Sequence, residues 1–162
     1  MVLPLFAVTF IILARQKGES QPSDLTKGMV GDVNMFLSAV EEEQEGGIGI
    51  EGSGSGKPVG AKQGELEIMI AEPEARRKGY ARQALDLMMR YVLQQGILDS
   101  PSRFLARIGM QNTRSIAMFQ KLGFDTVREV AVFQEAEMRI VQQAWVDRWT
   151  VLSNGAVQVQ SC

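Results

Sequence analysis

Alternating or continuous apolar runs along this chain predict six β-strands. Leu66, Ile68 and Ile70 point to one face of the third strand, whereas Glu65 and Glu67 point to the other. The predicted strands span residues 2–13, 29–37, 66–71, 103–109, 126–133 and 137–141. The first has neither a basic stretch before it nor a small-residue cleavage site after it, so we interpret it as a buried strand rather than a secretory signal.

Apolar residues at steps of three and four predict two helices, over residues 80–95 and 113–121. Ile116, Phe119 and Leu122 are expected to face the core from the second helix and the turn after it. No firm element is predicted from Ala144 onward. The resulting order is three strands, a helix, a strand, a helix and two strands. It predicts a mixed α/β domain with a strand-helix-strand unit at its centre.

A single domain is predicted over residues 1–149, followed by a tail at 150–162. The glycine- and serine-rich stretch 46–64, which an acidic run leads into, is typical of a flexible connector. Two interpretations of this stretch are open: a long solvated hairpin loop, or a flap that contacts a substrate.

The composition excludes several kinds of chemistry. The chain contains no histidine, which rules out Ser-His-Asp and Cys-His catalysis and removes the commonest zinc ligand. Its one cysteine is Cys162, so we expect no disulfide framework, no metal site and a reduced, cytoplasmic setting. The net charge of −2 gives no reason to expect nucleic acid as a partner. The apolar run at 2–13 is too short to span a bilayer, so no membrane partner is predicted.

The strongest chemical signal is the run between the third strand and the first helix, Glu72-Pro73-Glu74-Ala75-Arg76-Arg77-Lys78-Gly79-Tyr80-Ala81-Arg82. The first N–H groups of a helix have no partner inside it, and the helix dipole adds partial positive charge there. Four cations against two carboxylates leave a local charge of +2. The run therefore indicates either an anion site suited to a pyrophosphate or an exposed basic helix start. It is not a dinucleotide-binding G-x-G-x-x-G, and no G-K-[ST] follows it.

Arg76-x-x-Gly79-x-Ala81 after a strand resembles the [Q/R]-x-x-G-x-[G/A] signature of the GNAT acetyltransferases. Asn112-Thr113-Arg114-Ser115-Ile116 through Lys121-Leu122-Gly123-Phe124 is similar to the RimJ/RimL-type branch of that family. The resemblance covers residues 6–141 and implies a GNAT-like α/β fold: a mixed, mainly antiparallel sheet with a central β-α-β unit that binds acetyl-CoA. The family's N-terminal strand and the two helices after it have no counterpart here, which predicts a shortened variant or an incomplete gene model.

The resemblance implies transfer of acetyl from acetyl-CoA to a primary amine of a protein. A protein N-terminus is the expected acceptor, and the most similar group within the branch indicates tubulin. In the family the pantetheine arm pairs with the strand backbone, the pyrophosphate lies on the amides that follow, and an Asn contacts the cofactor. Asn112 is open to a second interpretation as a helix N-cap. The implied cofactor-binding residues are Met69, Ile70, Ala71, Arg76, Arg77, Lys78, Gly79, Tyr80, Ala81, Arg82 and Asn112.

The attacking amine must lose a proton, directly or through water, and carboxylates are the candidates to take it because the chain has no histidine. Glu67 is the first candidate and Glu65 the second; the alternative is that both are solvated strand carboxylates. Many relatives carry a tyrosine as the acid seven residues after the Asn, where this chain has Phe119, expected to be a core residue. A non-catalytic CoA-binding or interaction module is therefore the main alternative function, and a phosphate site for another nucleotide is the third.

Overall fold

The computed structural model describes residues 6–14, 28–40 and 62–153. Most of the predicted flexible connector, at 46–61, lies outside the described residues, as do positions 2–5 of the first predicted strand. The predicted tail at 150–162 lies outside them from residue 154 onward.

In the described part of the chain, six strands form one mixed sheet in the order β1-β2-β3-β4-β6-β5. Every neighbouring pair is antiparallel except β3 and β4, which run parallel. This is the mixed, mainly antiparallel sheet that the resemblance implies, and the predicted fold class is confirmed. The strands are β1 (Phe6–Leu13), β2 (Met29–Ala39), β3 (Lys62–Ile70), β4 (Phe104–Gly109), β5 (Asp125–Val130) and β6 (Glu135–Arg139).

The parallel strands β3 and β4 separate soon after they begin. Their paired residues are Gly64 with Phe104 and Glu65 with Leu105, whereas β2 stays paired with β3 from Lys62 to Ile70. Residues 66–70 of β3 and 106–109 of β4 therefore flank a space, which we call the gap. Strand edges normally need a partner for their N–H and C=O groups, so the gap is a place where a ligand could pair with the backbone.

Within the residues that the structure describes, three α-helices and one face of the sheet share a hydrophobic core. The helices are α1 (Tyr80–Gln94), α2 (Thr113–Gln120) and α3 (Gln143–Ser153). Alternation along β3 turns Leu66 and Ile68 toward this core, where they pack with α1 residues such as Met88 and Met89. The two predicted helices and the predicted face of β3 are confirmed.

Two sequence-based expectations were wrong. The first strand was expected to be buried, but β1 lies at the edge of the sheet and none of its residues is fully buried. The last two strands were expected at 126–133 and 137–141, but a turn at 131–134 separates β5 from β6. Val132 and Phe133 in that turn are 87% and 71% exposed. Their apolar side chains therefore give the sequence pattern of a strand although they are not buried. The region after Ala144, for which no firm element was predicted, belongs to α3, which spans Gln143–Ser153.

Trp149 anchors α3 to the rest of the fold. Its side chain is 2% exposed, and its indole Nε1–H donates to the Leu122 carbonyl at 3.0 Å. No helix within residues 6–14, 28–40 and 62–153 combines the length and the apolarity needed to cross a bilayer.

Candidate active site

The turn between β3 and α1 contains the amide loop, which we define as residues 77–82. None of its six backbone N–H groups donates to an acceptor in the part of the chain that the structure describes. The first amide bonded within α1 is that of Gln83, which donates to the Gly79 carbonyl at 3.1 Å. Arg77 (φ 65°) and Gly79 (φ 86°) are left-handed. Such alternation turns successive N–H groups into an anion-binding concavity.

The amide loop carries cationic side chains and leads into the N-terminus of α1. Arg77, Lys78 and Arg82 are exposed, and none of them forms an ion pair or hydrogen bond with another described residue. Tyr80 and Ala81 are half-buried at the start of α1. The predicted residues 77–82 are thus brought together, with positive charge and bare amides at one place.

Arg76, predicted as a cofactor ligand, holds the end of β3. Its Nε donates to the Ile70 carbonyl at 2.9 Å and its Nη2 to the Ala71 carbonyl at 3.2 Å, while its own amide donates to the Pro73 carbonyl at 3.1 Å. Its guanidinium therefore fixes the entry of the amide loop against the strand, rather than pointing free cationic charge at a ligand.

Only every second residue of β3 directs its backbone N–H and C=O groups toward the gap. The Ala71 amide donates to the Val30 carbonyl at 2.8 Å, so the two-residue alternation of an antiparallel pair directs Met69 toward β2 as well. The backbone N–H and C=O groups of Ile68 and Ile70 face the gap instead. Of the three predicted strand residues, only Ile70 lies on the gap, and Ile68 is a gap residue that sequence reasoning missed. Counting by two from the strand register could have found it.

The second face of the sheet, which bears Glu65 and Glu67, carries a chain of polar contacts. Arg107 Nη1 lies 2.5 Å from Glu65 Oε2, and Arg107 Nη2 lies 3.4 Å from Glu137 Oε2. Arg139 joins the other end, with Nε 2.8 Å from Glu137 Oε1 and Nη2 3.0 Å from Gln63 Oε1. These five residues, on β3, β4 and β6, are called the ion-pair chain below.

The two candidate bases differ in their surroundings. Burial raises the pKa of the Glu65 carboxyl above its ordinary value, and Arg107 opposes that rise, while Glu67, Glu137 and Glu135 add to it. Glu67 is exposed and makes no ion pair or hydrogen bond with another described residue. Both carboxylates lie on one face of β3, as predicted. Arg107 contacts the Glu65 carboxylate, whereas the Glu67 carboxylate keeps its lone pairs free.

Asn112 and Phe119 both contribute to α2. Asn112 Oδ1 accepts a hydrogen bond from the Ser115 amide at 3.2 Å, so the N-cap interpretation of this residue holds. Phe119 is 2% exposed, and its ring meets the Phe124 ring edge to face with centroids 5.1 Å apart. The ring therefore belongs to the core, as expected.

A sheet with a gap between its two parallel strands, followed by a cationic run of bare amides at a helix start, is an arrangement suited to an extended ligand that carries a pyrophosphate. The Acetyltransferase (GNAT) domain family matches this chain over residues 17–125. The chain belongs to the GNAT acetyltransferase family, which confirms the resemblance of its motifs.

Over the stretches that match, curated relatives are about a third identical to this chain. The N-acetyltransferase 9-like protein of Schizosaccharomyces pombe is 34% identical over 151 residues, covering 83% of this chain and 70% of that protein. The human alpha/beta-tubulin-N-acetyltransferase 9 is 35% identical over 152 residues, covering 93% of this chain and 63% of that protein. The mouse protein of the same name is 37% identical, and the match covers 50% of its length.

Solved structures share the fold at lower identity. A chimera of the spermidine N-acetyltransferase SpeG from Vibrio cholerae and hSSAT aligns with a TM-score of 0.54 and 18% identity, over 86% of this chain and 69% of its own. Arabidopsis thaliana NAA60 in complex with acetyl-CoA aligns with a TM-score of 0.52 and 16% identity, over 82% of this chain and 73% of its own.

Proposed function

We propose that this chain transfers acetyl from acetyl-CoA to a primary amine of a protein. The observation that carries the proposal is the amide loop, whose six N–H groups have no acceptor within the described residues. The loop is joined to the strand that lines the gap by a short segment containing one 3-10 turn, Pro73–Ala75. Membership of the GNAT family supports it, and so does the acetyl-CoA complex of the structurally similar NAA60.

Acetyl-CoA would be held at two places. The amides of the loop and the side chains of Arg77, Lys78 and Arg82 suit its pyrophosphate, since bare helix-start amides and cations both favour anions. The backbone of Ile68 and the N–H of Ile70 suit its pantetheine arm, because they face the gap without a strand partner in the described part of the chain. The Ile70 carbonyl already accepts a hydrogen bond from Arg76. Asn112 still has its Nδ2 donor for the cofactor, because the cap uses Oδ1.

Glu67 is the proposed base, with Glu65 the second choice. The amine must lose a proton as its nitrogen bonds to the acetyl carbonyl carbon and the CoA sulfur leaves as thiolate. A carboxylate with free lone pairs can accept that proton directly or through water, and Glu67 meets this condition, whereas Glu65 Oε2 is occupied by Arg107. No side chain is assigned as acid, since a thiol has a low enough pKa to leave as thiolate.

The proposed acceptor is a protein N-terminus, with tubulin the first to test. Support comes from relatives at 35% and 37% identity whose names include tubulin. Matches to the three relatives cover between 50% and 70% of their lengths. The single cysteine agrees with a reduced compartment, so we place the reaction in the cytoplasm.

Transfer of labelled acetyl from acetyl-CoA to tubulin or to N-terminal peptides tests the proposal, with CoA binding followed by calorimetry in parallel. Binding with transfer supports the enzyme. Binding without transfer to any amine favours a non-catalytic CoA-binding module. This alternative is supported by Phe119, which lies in the core where many relatives have a tyrosine that acts as the acid. Competition by ATP at an affinity similar to that of CoA would instead indicate a site for another nucleotide.

A further inference from the structure

The ion pair between Arg107 and Glu65 lies where the backbone contact between β3 and β4 ends. Glu65 belongs to the last residue pair that joins the two strands, and its partner in that pair is Leu105. Arg107 is two residues further along β4, beyond the point of separation. Its side chain therefore spans the two strands at the closed end of the gap.

Arg107 also contributes backbone to the gap itself. The Met110 amide donates to the Gln134 carbonyl at 2.7 Å, so alternation along β4 directs Ile108 and Ala106 toward β6. The N–H and C=O groups of Arg107 then face β3. One residue thus lines the gap with its main chain and bridges the two strands at its closed end with its side chain.

We propose that Arg107 is a positioning residue for acetyl-CoA: by holding Glu65 and Glu137 at once, it fixes β3 against β4 and β6 and so sets the shape of the gap that takes the pantetheine arm. This inference rests on the proposed function. Glu137 is in turn held by Arg139, whose side chain returns to β3 at Gln63, so Arg107 is braced from both sides.

The ionised form of Glu65 does not stabilise the fold, although the Arg107 cation offsets part of the cost of its burial. Burial raises the pKa of this carboxyl despite the cation beside it, so the folded chain favours neutral Glu65 more than the unfolded chain does. The stability that Glu65 contributes is therefore full below the unfolded pKa and is lost as the pH rises through the higher folded pKa. Glu65→Gln, which imitates the neutral form, should leave stability unchanged or raised while removing the charge that holds Arg107.

Calorimetric binding of CoA to the full chain at neutral pH tests the role of Arg107. Arg107→Met should weaken binding by roughly three- to thirtyfold, the range of coupling through positioning residues. Arg107→Lys should bind CoA more tightly than Arg107→Met and less tightly than the parent. Lysine keeps the positive charge but lacks the planar guanidinium that contacts both carboxylates. Arg90→Met is the matched control, because it removes a similarly exposed ion pair with Asp86 within α1, and it should bind CoA as the parent does.

The pH dependence supplies a second readout. The charged groups facing Glu65 are Arg107 from β4, Glu67 from β3, and Glu135 and Glu137 from β6; β2 places the uncharged Phe36 opposite it. CoA affinity of the parent should fall on acidification as Glu65 takes up a proton. That fall should be absent in both Arg107→Met and Glu65→Gln, because neither variant keeps the ion pair that protonation of Glu65 breaks. Titration of the CoA phosphates affects all variants equally, so differences between their pH profiles report on the protein.

Several outcomes would overturn the inference. A folded Arg107→Met chain that binds CoA as tightly as the parent, with the parent's pH dependence, refutes it. If Arg107→Met does not fold, Glu65→Gln decides, and parental affinity in that folded variant also refutes it. Loss of thermal stability in Glu65→Gln with parental CoA affinity would show a structural role only. A parent chain that binds no CoA would overturn both proposals, whereas defects confined to the variants concern Arg107 alone.

Discussion

Replacing Gly79 by valine is the most direct test of the amide loop. Gly79 has φ 86°, and the nearest atom to an added Cβ is Gln83 Nε2 at 3.8 Å, so the new side chain meets no serious clash. The cost comes from holding a branched residue in the left-handed region, about 1–2 kcal/mol. For a chain of this size, that cost should lower the thermal midpoint by roughly 2–8 °C.

Gly96 provides a matched control at the other end of α1. Its φ is 64°, and an added Cβ would have no neighbour within 4 Å, so Gly96→Val carries the same backbone strain away from the amide loop. Both variants should lose similar stability without ligand. Relaxing the strain at Gly79 rotates the adjacent peptide units and turns their N–H groups away from the anion, which relaxation at Gly96 does not do.

The assay is thermal unfolding with and without CoA. CoA at one hundred times the parental Kd should stabilise the parent and Gly96→Val by about 2.7 kcal/mol. Binding weakened tenfold or more in Gly79→Val would leave about 1.4 kcal/mol or less of that gain. If Gly79→Val gains as much from CoA as Gly96→Val does, the cofactor does not lie on the amide loop and the placement is refuted.

Three further substitutions test separate parts of the site and fold. Glu67→Gln should lower kcat for labelled acetyl transfer while CoA affinity by calorimetry stays unchanged, and equal turnover would remove Glu67 as the base. Gly123→Ala would push a methyl group into the Trp145 ring, so urea unfolding should show a loss of roughly 1–3 kcal/mol, and an unchanged midpoint would contradict this packing. Phe119→Tyr should cost roughly 1–3 kcal/mol by burying a hydroxyl and should not speed transfer. A faster reaction in that variant would mean that the side chain contacts the site.

Local patterns predicted most of the fold. Alternation along β3 placed Leu66 in the core and Glu65 on the opposite face, and steps of three and four placed α1 within one residue of its end. These features depend on neighbours in sequence, so one chain suffices to predict them. The signature around Gly79 predicted the amide loop for the same reason, since its conformation is set within a few residues.

Elements fixed by distant contacts escaped prediction. Helix α3 depends on Trp149, which donates to a carbonyl 27 residues away, and on Trp145, which packs against Gly123. The four- and three-residue steps from Trp145 to Trp149 and Leu152 are helical and could have indicated it. The turn at 131–134 was missed because the exposed Val132 and Phe133 have the composition of a strand.

The ion-pair chain could not be predicted at all from one sequence. Arg107 meets Glu65, 42 residues away, only because the sheet order places β4 between β3 and β6. A charged residue in a strand indicates solvent exposure until the neighbouring strands are known. The same applies to the choice between Glu65 and Glu67, which are equivalent in the strand pattern and are distinguished by a cation contributed from another strand.

The gap requires β3 to hold its shape where one of its edges has no partner in the described chain. A free edge would ordinarily twist or pair with another chain. Three contacts oppose this: the ladder to β2 along the whole strand, the Arg107 pair at Glu65 where β4 departs, and Arg76 on the carbonyls of Ile70 and Ala71 at the strand end. The stretch between Glu65 and Ile70 is therefore fixed at both ends while its gap edge stays free. An extended ligand that pairs there pays little ordering entropy in the protein, which is the physical advantage of a preformed edge.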